Sequence, residues 1–212
     1  MGAGAAARAV AGTVGDAVGL GTVVVANRNV AAATGVAAAL AAAGVHAEAI
    51  AETDVAAVAP EADLVVKCSS KGQAGWQWAG DGRAVLLEPY SALGPAAPEP
   101  VNGVHGDDET RRRAFLASSL PDILRNAEAS ARTALAIPAR VPFFDAVLEP
   151  RETIFLRDGR MAGHRTLGGA AMGVAQAADA LVFRVCRRLV DSIGQNPAAV
   201  HNRVRAVMTR AW

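Results

Sequence analysis

Residues 22–29 read Thr-Val-Val-Val-Ala-Asn-Arg-Asn, an unbroken apolar run that ends in polar side chains. A run without alternation is the pattern of a parallel strand buried on both faces. Ahead of it, residues 4–18 are Ala-rich and helical in pattern, weakened by Gly12, Gly15 and Gly19. After it, Asn29 is placed to cap a helix over 30–43, and Gly44 to close it. Residues 45–50 read as a strand, 53–59 as a short helix, 62–70 as a strand with a polar end, and 82–90 as the last clear strand. Strand alternating with helix, joined by short loops, predicts a parallel α/β sheet with right-handed crossovers.

The pattern changes after Tyr90. Residues 91–109 are rich in proline and glycine and read as a loop or linker. Two helices are expected, over 107–118 and 121–136, with Pro121 at a permitted first-turn position. Residues 152–166 read as a β-hairpin turning at Asp158-Gly159. Further on, Ala178, Leu181, Val182, Val185, Cys186, Leu189, Val190 and Ile193 recur at helical spacing, with Arg184, Arg187, Arg188 and Asp191 off that stripe. Asn196-Pro197 opens a last helix. The expected organisation is a Rossmann-like parallel sheet over 1–105 and a helical C-terminal extension with the hairpin over 106–212.

The opening residues give the sheet a chemistry. Gly2, Gly4 and Ala7 spell G-x-G-x-x-A. In a dinucleotide-binding turn the first glycine permits the tight turn, the second lets backbone approach the pyrophosphate, and the third position governs helix–strand packing, where alanine is tolerated. The phosphates sit on N–H groups at the helix N-terminus, which brings in Ala5. The polar end of the next strand meets the adenosine ribose. An acid there holds the 2′-hydroxyl of NAD, and an arginine accommodates the 2′-phosphate of NADP. Here the residues are Asn27, Arg28 and Asn29, so the expected cofactor is NADP. The strand that should run into Gly2 is missing, and a truncated product or a fragment of a longer chain is expected on that ground.

Composition narrows the classes. Of the 212 residues 52% are hydrophobic, but many are alanine, which buries little area each. The net charge of +1 excludes a global trap for nucleic acid. Residues 1–110 carry 5 basic and 12 acidic side chains, and residues 151–212 carry 10 and 4. Cys68 and Cys186 match no metal spacing, so no metal and a reducing compartment are expected. No apolar run reaches membrane-spanning length and no signal peptide is evident, so a cytoplasmic location and no membrane partner are expected. A small-molecule substrate and a homo-oligomer complete the expected partners.

Three groups are candidate catalytic residues. Lys71 follows Cys68, Ser69 and Ser70 at the carboxyl end of a predicted strand, where ligands bind in open α/β sheets. Those three line the expected ribose–nicotinamide crevice, and Lys71 could hold a substrate carboxylate or phosphate. His105 stands beside Asp107 and Asp108, and His164 beside Arg165. Cys68 has no neighbouring histidine to make it a nucleophile.

The stretches "GAGAAARAVA", "VVVANRN" and "ADLVVKCSSKG" together resemble the NADP-binding domain of shikimate dehydrogenases and glutamyl-tRNA reductases. In those families a glycine loop, an N-R-T/D strand end and an "ADLVVNATPLG"-like strand follow in that order, and the resemblance covers roughly residues 2–75. "LLEPYSALGPAAPEPVNGV" and "HRTLGGAAMGVAQAADALVF" are similar to stretches of NADP-dependent methylenetetrahydromethanopterin dehydrogenases, in the same order. The resemblances imply a hydride-transferring oxidoreductase acting on a small acid or a pterin-type one-carbon carrier. Those families carry a substrate domain ahead of the glycine loop, so its catalytic residues have no position here. A non-catalytic dinucleotide-binding or regulatory module, and a helical interaction protein with a basic C-terminal face, stay open as alternatives.

Overall fold

The computed structural model describes residues 1–18, 21–102 and 107–211. Helix α1 (Ala5–Val18) leads to β1 (Val23–Asn27), α2 (Val30–Ala42) and β2 (Ala47–Ala51). The side chain of Asn29 caps α2 by accepting from the Ala32 N–H at 3.3 Å, and Gly44 closes it at φ +83°. A short α3 (Val55–Val58) then precedes β3 (Val65–Lys67). β1 and β2 pair in parallel, from Val23 opposite Ala47 to Asn27 opposite Ala51.

The next three strands leave this sheet. β4 (Trp76–Trp78), β5 (Arg83–Leu86) and β6 (Val101–Asn102) form a separate antiparallel sheet. The run at 82–90 is therefore not a further parallel strand. Its Leu86, Leu87 and Tyr90 pack with Phe115 in a core of their own.

Helix α4 (Asp108–Ala136) is continuous where two helices were expected. Asp107 caps it, accepting from the Thr110 N–H at 2.8 Å. Pro121 lies inside it. Proline forfeits one bond to the carbonyl four residues back. Ala117 and Pro121 both face solvent, so water can take that carbonyl and the helix runs on. Phe115 anchors one half of α4 under the antiparallel sheet, while Ala134 joins the parallel sheet's core.

β7 (Phe143–Asp145) returns beside β3, and β8 (Thr166–Leu167) pairs with β7, all parallel. The parallel sheet thus draws strands from both sides of residue 105. Between β7 and β8 lies α5 (Ile154–Met161), where a hairpin was expected. Thr153 caps it, and Phe155, Leu156 and Gly159 form its buried side. Gly159 is not a turn residue. A Cβ there would lie 2.6 Å from Phe143 Cδ2, so the glycine lets the helix approach β7 closely.

The two parallel sheets flank the backbone of Met1 and Gly2. The Met1 amine donates to the Val66 carbonyl at 2.7 Å. The Cys68 N–H donates to the Met1 carbonyl at 2.7 Å, and the Gly2 N–H to the Ala26 carbonyl at 2.8 Å. The sheets β2-β1 and β3-β7-β8 are thus bridged side by side through the backbone of Met1 and Gly2. Helices cover both faces. Val25 packs with Ala33, Val36 and Leu40 of α2 on one, and Ala26 packs with Val55, Phe143 and Phe155 on the other.

The chain closes with α6 (Gly169–Ala180), a π-turn at Leu181–Val185, α7 (Arg187–Ser192) and α8 (Pro197–Ala211). The extra residue of the π-turn rotates the apolar stripe out of phase. Ala178, Val182 and Val190 are buried, whereas Leu181, Val185, Leu189 and Ile193 face outward. No helix among the described residues is long and apolar enough to cross a membrane.

Buried Asn126 on α4 fastens the proline-rich segment. It accepts from the Ser91 N–H at 2.8 Å and donates to the carbonyls of Ser91, Gly94 and Pro95.

Candidate cofactor-binding site

The glycine loop lies at the carboxyl edge of the parallel sheet, held between β1 and β3 by the three bonds described above. Gly2 has φ +106°, and a Cβ on it would sit 2.8 Å from the Cys68 backbone, so both conformation and space demand glycine. A Cβ on Gly4 would meet nothing within 4 Å, which leaves that side of the loop open. Ala5 is the first residue of α1 and is exposed, while Ala7 is buried. The first intrahelical bond is from Arg8 N–H to the Gly4 carbonyl. The N–H groups before it have no partner within the helix, as at any helix start.

Beside this loop, β1 ends in the polar triplet. Asn27 Nδ2 donates to the Asn29 carbonyl at 3.1 Å and Asn29 caps α2, so both shape the turn. Arg28 between them is exposed. Across the edge, β3 runs into Cys68, Ser69, Ser70 and Lys71. Burial pushes the Cys68 thiol up from its ordinary value, which keeps it protonated. Ser69 Oγ is buried with no hydrogen-bond partner among the described residues. Ser70 Oγ donates to Gln77 Oε1 at 3.3 Å.

Lys71 is already engaged. Its Nζ lies 2.7 Å from Glu52 Oε1, just beyond β2, and donates to the Gly94 carbonyl at 2.8 Å. Burial pulls its ammonium below the usual lysine range, against the Glu52 carboxylate, which favours the charged form.

The other two histidine candidates lie elsewhere. His105 falls outside the described residues. His164 is buried at the amino edge of β7 and β8, the opposite end of the sheet from the glycine loop. Its ring nitrogens lie 2.9 Å from the Val141 and Ala134 carbonyls, and the ring stacks on Phe143.

Lys67 and Asp145 form a pair that reasoning from sequence missed. They end β3 and β7 side by side, both fully buried, with Lys67 Nζ 2.9 and 3.0 Å from the two carboxylate oxygens. Asp145 also accepts from the Val147 N–H at 2.9 Å and from the Thr153 hydroxyl. Burial lowers the Lys67 ammonium's pKa and the carboxylate opposes that. The available signal was a charge closing each of the apolar runs "VVK" and "PFFD".

No family model matches this chain, and no curated protein does. Among solved structures it is similar to a quinate dehydrogenase from Corynebacterium glutamicum in complex with NAD, with TM-score 0.57 and 20% identity over 95% of this chain and 51% of that one. It is also similar to a ligand-free 5-ketofructose reductase of a Gluconobacter strain, with TM-score 0.50 and 20% identity over 97% of this chain and 54% of that one. The chain spans about half the length of each. At this identity the likeness is one of fold alone, a Rossmann-like α/β fold.

Proposed function

We propose that the chain is the dinucleotide-binding part of an NADP-dependent oxidoreductase. One observation carries this reading. A glycine turn whose first residue admits no side chain feeds a helix N-terminus at the carboxyl edge of the parallel sheets, with an exposed arginine ending the neighbouring strand. The residues present fit such a cofactor. The first-turn N–H groups of α1 would take the pyrophosphate, with Gly4 leaving room for its approach. Arg28 would pair with the 2′-phosphate through two parallel hydrogen bonds. Ser69 Oγ, buried and unpartnered, would serve the crevice beyond. When bound, the nicotinamide supplies hydride transfer, and the protein supplies position and electrostatics. The substrate class we favour is a small acid or a pterin-type carrier, as the sequence resemblances imply.

Calorimetric titration of the full chain with NADPH and NADH tests this. NADPH is expected to bind about tenfold more tightly, the worth of one charge-assisted contact. Arg28→Ala is expected to remove that margin and to leave NADH within about twofold. Tighter NADH binding sinks the role of Arg28, and binding of neither sinks the cofactor reading. A second reading, binding without turnover, is favoured by Lys71, whose ammonium is committed to Glu52 and Gly94. It predicts NADPH binding with no hydride transfer to any small acid.

A further inference from the structure

Helix α4 turns Phe115, Ser119, Asn126 and Ser130 inward. Its other side carries an apolar stripe. Leu116, Leu120 and Leu124 are 39%, 51% and 60% exposed. Side chains four residues apart lie one above another, so the three leucines make one row on successive turns. Ala127 and Ala131 prolong the row with small side chains. A single exposed leucine is ordinary on a protein surface, whereas a contiguous row of them marks a contact face.

The charges at the two ends of the row say what covers it. Glu109 and Arg113 precede the leucines on this side of the helix, and Glu128 and Arg132 follow them. Arg113 makes no ion pair among the described residues. Glu128 meets Arg132 at 2.6 Å, but both side chains are more than half exposed, and such a pair is weak and exchanges readily. Turned end for end, the row is complementary to itself. A two-fold axis through Leu120 would set Leu116 against Leu124 of a second copy, Arg113 against Glu128 and Glu109 against Arg132, each contact made twice. A parallel pairing would instead set Arg113 on Arg113 and Glu128 on Glu128, like charge on like. An anionic membrane would favour a face ringed by cations alone, and here two carboxylates stand with two guanidiniums.

We propose that α4 is the seam of a two-fold dimer of this chain, two copies of the helix packing antiparallel across Leu120. Burial of the leucines supplies the attraction, and the four charges set direction and register. From Glu109 to Arg132 the seam spans about 35 Å of each helix. Ala127, beside Glu128, leaves room for the apolar stem of the copy's Arg113 to cross toward that carboxylate. Pro121 stands about 100° round the helix from Leu120, so the carbonyl it frees lies at the rim of the pairing, where water reaches it. None of these residues belongs to the glycine turn or to the polar end of β1, so the dimer does not rest on the cofactor reading.

Sedimentation velocity of the full chain between about 1 and 100 μM is expected to show a monomer giving way to a species of twice its mass. Leu120→Glu places two carboxylates on the axis and is expected to raise Kd at least about a hundredfold. Arg113→Glu makes two like-charged pairs and is expected to raise it about tenfold. Adding Glu128→Arg to Arg113→Glu restores opposite charges and is expected to bring Kd back within about threefold of its starting value. All three positions are exposed, so the variants are expected to keep the fold, which circular dichroism checks. A monomer at every concentration overturns the proposal, whether or not vesicles of anionic lipid bind the leucine row. So does a dimer that survives Leu120→Glu, or a double variant no tighter than Arg113→Glu. If Leu120→Glu does not fold, the charge swap alone decides.

Discussion

Replacing Lys67 with methionine removes one half of the buried pair with Asp145. Both side chains are fully buried, so water cannot compensate the carboxylate left behind. Breaking a buried pair from one side costs about 3–5 kcal/mol. For a chain of this size the urea dependence is about 2–3 kcal/mol/M, so the midpoint should fall by about 1–2.5 M with an unchanged slope. The second perturbation is Asp145→Asn in the same chain. It removes the orphaned charge but keeps an oxygen for the Val147 N–H and an amide facing Thr153. The double variant Lys67→Met/Asp145→Asn should therefore recover at least about 2 kcal/mol of what Lys67→Met loses. Urea unfolding followed by circular dichroism measures all three. A Lys67→Met cost below about 1 kcal/mol, or a double variant that merely sums its parents, would refute the claim that charge compensation holds β3 to β7.

Two further outcomes follow from the fold. Gly159→Ala would set a methyl 2.6 Å from Phe143, a ring pinned between Phe155 and His164, and should cost about 1–3 kcal/mol, read as a Tm fall of several degrees. The Met1 amine has its pKa lowered in the fold from 8.0, so below that value the unfolded chain binds more protons and stability should rise with pH. Acetylating the amine should abolish that part of the slope below pH 8 in thermal unfolding, and an identical slope after acetylation would refute the assignment.

Local signals carried the parts of the structure that local chemistry decides. The apolar run of β1 and the Asn29 cap were legible because each is written in consecutive residues, and Gly2 was legible from its motif spacing, although the backbone that leaves it no room for a side chain is that of distant Cys68. α5 was not. Asp158-Gly159 is a strong short-range turn signal, but packing against Phe143 governs there and makes the glycine a contact residue. β7 was invisible because three residues carry too little periodicity, and its place is set by pairing with β3 from 78 positions away in sequence. The outward half of the C-terminal stripe was misread for a related reason, since the π-turn breaks the spacing on which the reading rests. At the candidate site the glycine loop and the polar end of β1 were read by residue type, whereas the groups that hold Lys71 and Lys67 lie far off in sequence, Glu52 and Gly94 for the one and Asp145 of β7 for the other.

The Gly94 carbonyl has a mechanical role. It receives Asn126 Nδ2 from the long helix and Lys71 Nζ from the sheet's carboxyl edge, each at 2.8 Å. One oxygen thus serves as a shared hinge pin between the two layers of the molecule. A shift of α4 along its axis would be transmitted through that atom to the depth of the lysine. The segment around Gly94 is thereby tied at one atom to both the long helix and the edge of the parallel sheet.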